Sequence, residues 1–515
     1  MPLRLYMAMG HSRIQSWKPS IAGHLKDSSI FFNYQTYTLF GIFFALRFLS
    51  FVLTGHQLIQ GFVVFALIMI LGIAYFKNQQ YAWMIILGEI FLGGSGHFFE
   101  FFGLSVRTTL ILTFLLLWIF FTLLNPERSA VLRLPHRIYT LFVPLFAIIM
   151  VSAIVGLVYG NPHDFVIQDL VPYIFLFLLM PSFHLFKSAK IQYFFVRLML
   201  VFLIGSALFA LMTFVMYSTE IAVLHQPFYQ WFRDVAMGKI TEITPFFYRI
   251  VLPEHLLIAP GVLIIMSLLM RDEKHHPMWR ILYMFGALIL ALNLSRAYLL
   301  GLFAGTIILL YKHTFKRWIK EAVWAAAMFM LIFIGVNAIS SGGSQFGLDI
   351  LGLRASSLVD PSIEQSSTTR LALLPPIFDL IREHPVIGNG LGSTISYSDP
   401  ITNNYTKTKH MDWGYLEMIA ELGIVGLLYF LILVGFVLFE FYKKIYLSSD
   451  YHDFHVGLIA GFVSLMIINI TTPALFHVFG IFYLIFMTAF IAKPLEAVNH
   501  LTIILYRIFN KITHR

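Results

Sequence analysis

Residues 281–311 read ILYMFGALILALNLSRAYLLGLFAGTIILLY, and their reading decides what kind of molecule this is. The run of 31 residues is almost wholly apolar, interrupted mainly by Asn293, Ser295 and Arg296. As one helix it would extend ~46 Å at ~1.5 Å per residue, too long for a single ~30 Å hydrocarbon crossing and too short for two complete ones. The flanks decide between these. Arg271, Lys274 and Arg280 precede the run, and Lys312, Lys316, Arg317 and Lys320 follow it. Lys and Arg collect in cytoplasmic loops, so both ends belong inside and the run crosses an even number of times. The sequence therefore predicts a short helical hairpin whose tip, Asn293 to Arg296, stops below the outer surface.

Working outward, apolar runs of about 20 residues recur from Tyr37 to Phe490, each long enough for a bilayer. With 59% hydrophobic and 12% charged residues, no soluble core could hide them. The formal charge of +9 is scattered through short loops instead of forming one basic face, which reads as orientation signals and not as a nucleic-acid surface. Cysteine is absent, which excludes disulfides, thiolate metal sites and a Cys nucleophile. No removable signal peptide precedes the first span, which is expected to act as the targeting signal. Basic segments (the N-terminus, Lys77, Arg128 to Arg137, Lys187 to Arg197, Arg271 to Arg280, Lys312 to Lys320, Lys443 to Lys444 and the tail) alternate with loops free of Lys and Arg, such as Gly55 to Gln60, Gly160 to Asp164 and Thr471 to Pro473.

The expected fold is all-α: a polytopic transmembrane helical bundle of about 14 spans, or about 12 to 14, with both termini inside. The domains read as a cytoplasmic segment 1–34, a first transmembrane part 35–339, an extracytoplasmic loop 340–411, a last transmembrane part 412–493, and a basic amphipathic tail 494–515 on the inner surface.

Two outer segments are long, from about Ser218 to Arg249 and from about Ser340 to Met411. The second is too rich in Ser, Asn and Thr to cross lipid. Within it Thr368 or Thr369 is placed to cap a short helix with an apolar face of Ile377, Phe378, Leu380 and Ile381, and His384-Pro385 ends it. Pro375-Pro376 is expected to kink or restart that helix.

Arg296 is the costliest residue in this reading, since a charge at such depth costs about 2.5–3.5 kcal/mol on insertion scales. It either snorkels or pairs with a buried acid, or it forms an anion site, for which the planar guanidinium fork suits phosphate oxygens.

Three motifs resemble the O-antigen ligase and O-antigen polymerase superfamily of bacterial envelope polysaccharide synthesis. Leu294-Ser295-Arg296-Ala297 is similar to that family's Ser-Arg element between two hydrophobic segments. Arg370, followed by an amphipathic stretch and His384-Pro385-Val386-Ile387-Gly388-Asn389-Gly390-Leu391-Gly392, resembles its Arg…His-Pro-x-x-Gly-x-Gly signature. Tyr415-Leu416-Glu417 through Glu421-Leu422-Gly423-Ile424-Val425-Gly426 opens the next span as in that family. An N-terminal Gly156…Gly160-Asn161 element with Asp169 after it is a weaker likeness. One departure stands out. Where the family carries a His eleven residues before the Gly of Glu-Leu-Gly, this chain has Asp412, with His410 two residues earlier.

The resemblance implies a glycan transferred from an undecaprenyl-diphosphate carrier to a glycan or lipid acceptor hydroxyl at the outer face of the bacterial cytoplasmic membrane. No acidic pair with clear metal-ligand spacing appears in the outer segments, so no metal and no cofactor is expected; the resemblance admits a chain-length regulator or flippase as partner beside the lipid bilayer. Arg296, Arg370 and Arg249 are the candidates for the diphosphate. Asp412 or His410 is the candidate general base, and Asp412 equally suits an N-cap for a helix beginning at Trp413. His384, Gly388 and Gly390 read as a turn that positions the loop. Of the remaining polar residues, Glu254 and His255 read either as sugar-binding residues or as partners of a sunken Arg, and His97 and Glu100 as interface residues. Tyr229, Trp231, Tyr397 and Trp413 suit either sugar stacking or an interfacial belt.

Overall fold

The computed structural model describes residues 33–124, 136–186, 188–219, 225–270, 277–360, 365–400, 404–447 and 452–491. The N-terminal basic segment, most of the Arg128 to Arg137 stretch, Lys187, Arg271 to Lys274 and the amphipathic tail from residue 494 lie outside the described residues.

The first part comprises α1 (Tyr34–Val52), α2 (Gln57–Lys77), α3 (Gln79–Leu92), a short hairpin of β1 (Glu100–Phe101) and β2 (Leu104–Ser105), α4 (Val106–Leu123), α5 (His136–Val158), α6 (His163–Ile174), α7 (Leu179–Leu185) and α8 (Ala189–Ser218). Then come α9 (His225–Asp234), the antiparallel pair β3 (Lys239–Thr244) and β4 (Phe247–Val251), α10 (Ile258–Leu269), α11 (Met278–Asn293), α12 (Arg296–Leu309) and α13 (Phe315–Ser340). The segment after Ser340 holds α14 (Leu348–Val359), α15 (Gln365–Glu383) and the antiparallel pair β5 (Ile395–Ser398) and β6 (Tyr405–Thr408). The chain closes with α16 (Gly414–Leu447), α17 (His452–Ile468) and α18 (Val478–Ile491).

Among the described residues eight helices are long and apolar enough to cross a membrane, and five apolar helices are shorter. A helix such as α11, with 16 residues, is about 24 Å long and cannot span alone. The expected count of about fourteen thus rests on short and broken helices that length alone does not establish as spans. Large apolar side chains on α1 and α2, including Phe48, Phe62 and Ile73, stay exposed and form a lipid-type surface.

The loops sort into two ends. At one end Ser188 meets Gln80, Lys190 lies over Tyr81, Arg280 pairs with Glu321 and His313 faces Asp453. At the other, Ser95 reaches Val235, Asn161 reaches Leu391 and Lys409 reaches Asp169. Buried ion pairs stitch distant helices together: Arg47 to Glu254 at 2.9 Å and Arg107 to Glu89 at 2.7 Å, all four side chains less than a tenth exposed. Glu254 thus pairs with an Arg, as its position beside Pro253 suggests.

Residues 281–311 do break where the sequence places the tip. Leu294 takes a left-handed conformation (φ 43°), α11 ends at Asn293 and α12 begins at Arg296. The two arms nevertheless splay. The first packs mainly on α8, α10 and α13, the second on α17 and α10, so α10 lies between them.

Helix α15 starts at Gln365, ahead of Thr368, so neither Thr368 nor Thr369 caps it, and it continues through Pro375 and Pro376 to Glu383 without a restart. The carbonyls these prolines leave without donors belong to Leu371, which is exposed, and Ala372, which is half-buried. Its inward face is Leu373 and Ile377, packed with Ile395, Met411 and Ala420, whereas Phe378 is exposed.

Candidate active site

The site is organised by a break in α16. Gly423 has φ 70° and ψ 179°, which interrupts the helical ladder and frees backbone groups on both sides. The loop after α15 satisfies them. Asn389 N donates to Ala420 O at 2.7 Å, Gly390 N to Glu421 O at 3.1 Å, and Ile424 N to Pro385 O at 3.0 Å. Gly388 and Gly390 both have positive φ; a Cβ on Gly390 would lie 2.0 Å from Gly156 N, so no other residue fits without moving backbone. From the other side, the Asn161 amide donates to Asn389 O and Leu391 O, each at 3.0 Å. Gly392 N is shared between Asp169 Oδ2 at 3.1 Å and Glu421 Oε1 at 3.3 Å. His384 stacks on Tyr159 at 4.6 Å, and its carbonyl accepts Gly388 N at 3.0 Å. The three sequence elements that seem unrelated along the chain are one interlocked backbone here.

This scaffold holds a cavity of about 630 Å³ at the end of the bundle where α11 breaks. Arg249 from β4, Arg354 from α14, Arg370 from α15 and Lys239 from β3 line it, against only two carboxylates, Glu242 and Asp412. Asn293 and Ser295, from the break itself, complete the wall. Arg249 Nε donates to Asn293 O at 2.7 Å, so the guanidinium also holds the C-terminus of α11. Arg370 Nε lies 3.6 Å from Asp412 Oδ2, and the Arg370 carbonyl accepts the indole N–H of Trp413 at 3.0 Å. Arg354 is 7% exposed, a buried cation on the cavity wall.

Arg296 stands behind this wall. Its Nη2 donates to Ser367 Oγ at 2.5 Å, and Ser367 lies one helical turn before Arg370 on the same face of α15. Asp412 has φ 57° and precedes the helix, which starts at Gly414 with Trp413 as the boundary residue; the carboxylate turns to Arg370 and not to helix N–H groups. Its capping alternative is therefore not realised.

A second cavity of the same volume, about 630 Å³, adjoins the first; Met237, Pro473 and His477 line both. His410 lines this second space, together with Lys409, His97, Glu100, Asp169, Glu417 and Glu421. His97 and Glu100, 3.7 Å apart and with exposed side chains, thus line the open part of this cavity. Desolvation, with Lys409 beside it, holds the His410 imidazole below the usual histidine range. Burial, reinforced by Arg107, holds His477 lower still, at about 4. Its Nδ1 accepts the Phe479 N–H at 3.4 Å, which leaves Nε2 as the protonated nitrogen of the neutral ring.

The sequence reading did not anticipate Arg354, His477 or the acids of the second cavity as site residues. Of the four aromatic candidates for sugar stacking, none is in the lining of either cavity; Trp231 is buried and bonds Ser50 Oγ at 3.0 Å. The aromatic rings that do line the cavities are Tyr173, Phe175, Phe476 and Tyr298.

Residues 281–431 match the protein family described as O-antigen ligase. The match runs from the broken hairpin through α15 and the glycine-rich loop to beyond the break at Gly423, the same segments that carry the three motifs, and it bears out the resemblance they suggest. No curated protein matches the chain.

Proposed function

We propose that this chain, an integral membrane enzyme of the O-antigen ligase and polymerase type by its segment 281–431, transfers a glycan from an undecaprenyl-diphosphate carrier to an acceptor hydroxyl. The work is done at the outer face of the bacterial cytoplasmic membrane, in the extracytoplasmic segment 340–411 and the bundle end beneath it. The observation that carries this reading is the single cavity lined by Arg249, Arg354 and Arg370 with Asp412 at its wall.

The acceptor oxygen attacks the anomeric carbon of the donor sugar, the bond from that carbon to the diphosphate oxygen breaks, and the electron pair leaves with the diphosphate. Fixed guanidinium groups stabilise that developing charge in a partly dry site without reorganising, which is the largest catalytic contribution available here. Arg296, through Ser367, is a positioning residue for the turn of α15 that carries Arg370. Asp412 is the proposed general base; it lies beside the cations that hold the leaving group and takes the hydroxyl proton as the new bond forms. His410 is the second candidate, from the adjoining cavity.

Polymerisation of lipid-linked repeats is the reading put forward over ligation to a lipid anchor or a protein hydroxyl, because Asp412 stands where the resemblance to the ligases expects His. In a deletion strain, complementation with Arg370→Ala or Asp412→Asn is expected to leave short lipid-linked units outside the membrane and no long chains. Unchanged surface glycan in both variants overturns the reading, and units trapped inside would indicate a transporter. One capped repeat per anchor in the deletion strain marks a polymerase; free carrier-linked polymer marks a ligase.

A further inference from the structure

The second cavity is neither smaller nor more remote than the first, yet its chemistry is inverted. Four carboxylates, Glu100, Asp169, Glu417 and Glu421, line it against two permanent cations, Arg107 and Lys409. Both cations are already engaged, Arg107 with Glu89 at 2.7 Å and Lys409 with Asp169 at 2.9 Å. Such a wall offers a diphosphate no unpaired cation among the described residues. A hydroxyl-rich sugar suits it better, because each carboxyl group can hydrogen-bond sugar hydroxyls, and the rings of Tyr173 and Phe476 on the same wall offer flat apolar surface to the C–H faces of a pyranose. Glu417 Oε2 is enclosed and has no partner within hydrogen-bond geometry among the described residues, an opening that a bound hydroxyl would fill. The geometry at the seam adds to this. The positive φ of Asp412 turns the chain so that His410 lines one cavity and Asp412, two residues on, the other.

We propose that this acidic cavity is the acceptor site, and that it selects a neutral or amino-bearing glycan end over a phosphorylated or acidic one. The proposal rests on the transferase reading for its meaning but not for its test. The acceptor hydroxyl would enter across the partition at Met237, Pro473 and His477, and the neutral Nε2–H of His477 would be a hydrogen-bond donor there.

The test uses the full chain in lipid nanodiscs and, as probe, the oligosaccharide repeat released by mild acid from the lipid carriers of the deletion strain. Binding of this diphosphate-free saccharide is followed by saturation-transfer NMR, and binding of inorganic pyrophosphate is measured in the same preparation. The saccharide is expected to bind in the presence of saturating pyrophosphate, and Glu417→Gln to weaken it about fivefold or more, the scale of one lost hydrogen bond, with pyrophosphate affinity unchanged. Saccharide binding that pyrophosphate displaces, that Glu417→Gln leaves intact, or that is absent at millimolar concentration overturns the proposal. If Glu417→Gln loses both ligands through misfolding, Glu100→Gln decides in its place, since that side chain is 54% exposed and its loss leaves the core intact. Failure of the transferase reading shows separately, as wild-type glycan in the Arg370→Ala strain.

Discussion

The two cavities share a wall and have the same volume, about 630 Å³ each, but one is lined by four cations and two carboxylates and the other by four carboxylates and two cations. The contrast shows how one bundle can bring two polar substrates together without exchanging their places. Charge sorts them before any detailed fit, because one wall gathers guanidinium groups for a diphosphate and the other offers it no unpaired cation among the described residues, while sugar hydroxyls tolerate either wall. The difference also appears in where each wall comes from. The cationic cavity draws its arginines from β4, α14 and α15, whereas the acids of the other come from β1, α6 and α16.

The largest expected effect breaks the cationic side of the contrast. Arg370→Ala or Arg354→Ala is expected to lower transfer about 100-fold or more, the scale for removing one fixed donor from a developing oxyanion, measured with lipid-linked repeats and purified enzyme. Next comes the wall of the acidic side. Arg107→Met strands the buried Glu89, whose partner it is at 2.7 Å, and is expected to cost about 3–5 kcal/mol, seen as loss of folded protein on extraction. Gly390→Ala strains the loop that both cavities lean on; at φ 83°, with Gly156 N 2.0 Å from the new Cβ, it is expected to cost about 1–3 kcal/mol in thermal unfolding and to lower both ligand affinities together. The smallest effect belongs to the partition. The His477 pKa falls from 6.5 to about 4 on folding, so the unfolded chain takes up the proton first. Stability from this group is complete above pH 6.5, declines as pH falls, and is lost below about 4, a change of at most about 3 kcal/mol. His477→Gln is expected to flatten that part of the stability profile.

Much of this architecture was readable from the chain because its signals are local. The polar interruption at Asn293 to Arg296 inside an apolar run marks a helix break wherever it folds, and the glycines of residues 388–392 mark a turn. The splay of the two arms was not readable, since nothing within residues 281–311 shows that α10 will lie between them. Likewise, Gly423 sits in an apolar helical pattern, and its conformation follows from Pro385 to Gly390 docking against it. Glu100, Asp169, Glu417 and Glu421 come from three distant stretches with no shared motif, so the second cavity exists only after folding. Arg354 looks like one more loop cation until α14 turns it inward.

The central claim is that a lipid-borne diphosphate rests among Arg249, Arg354 and Arg370 beside the break in α11. An experimental map of the full chain bound to undecaprenyl diphosphate tests it most directly. The account predicts both phosphates within hydrogen-bond reach of those guanidinium groups and close to Asn293 and Ser295, with the polyprenyl tail leaving toward lipid. Phosphates found in the acidic cavity, or at the opposite end of the bundle near Arg280 and His313, would contradict it.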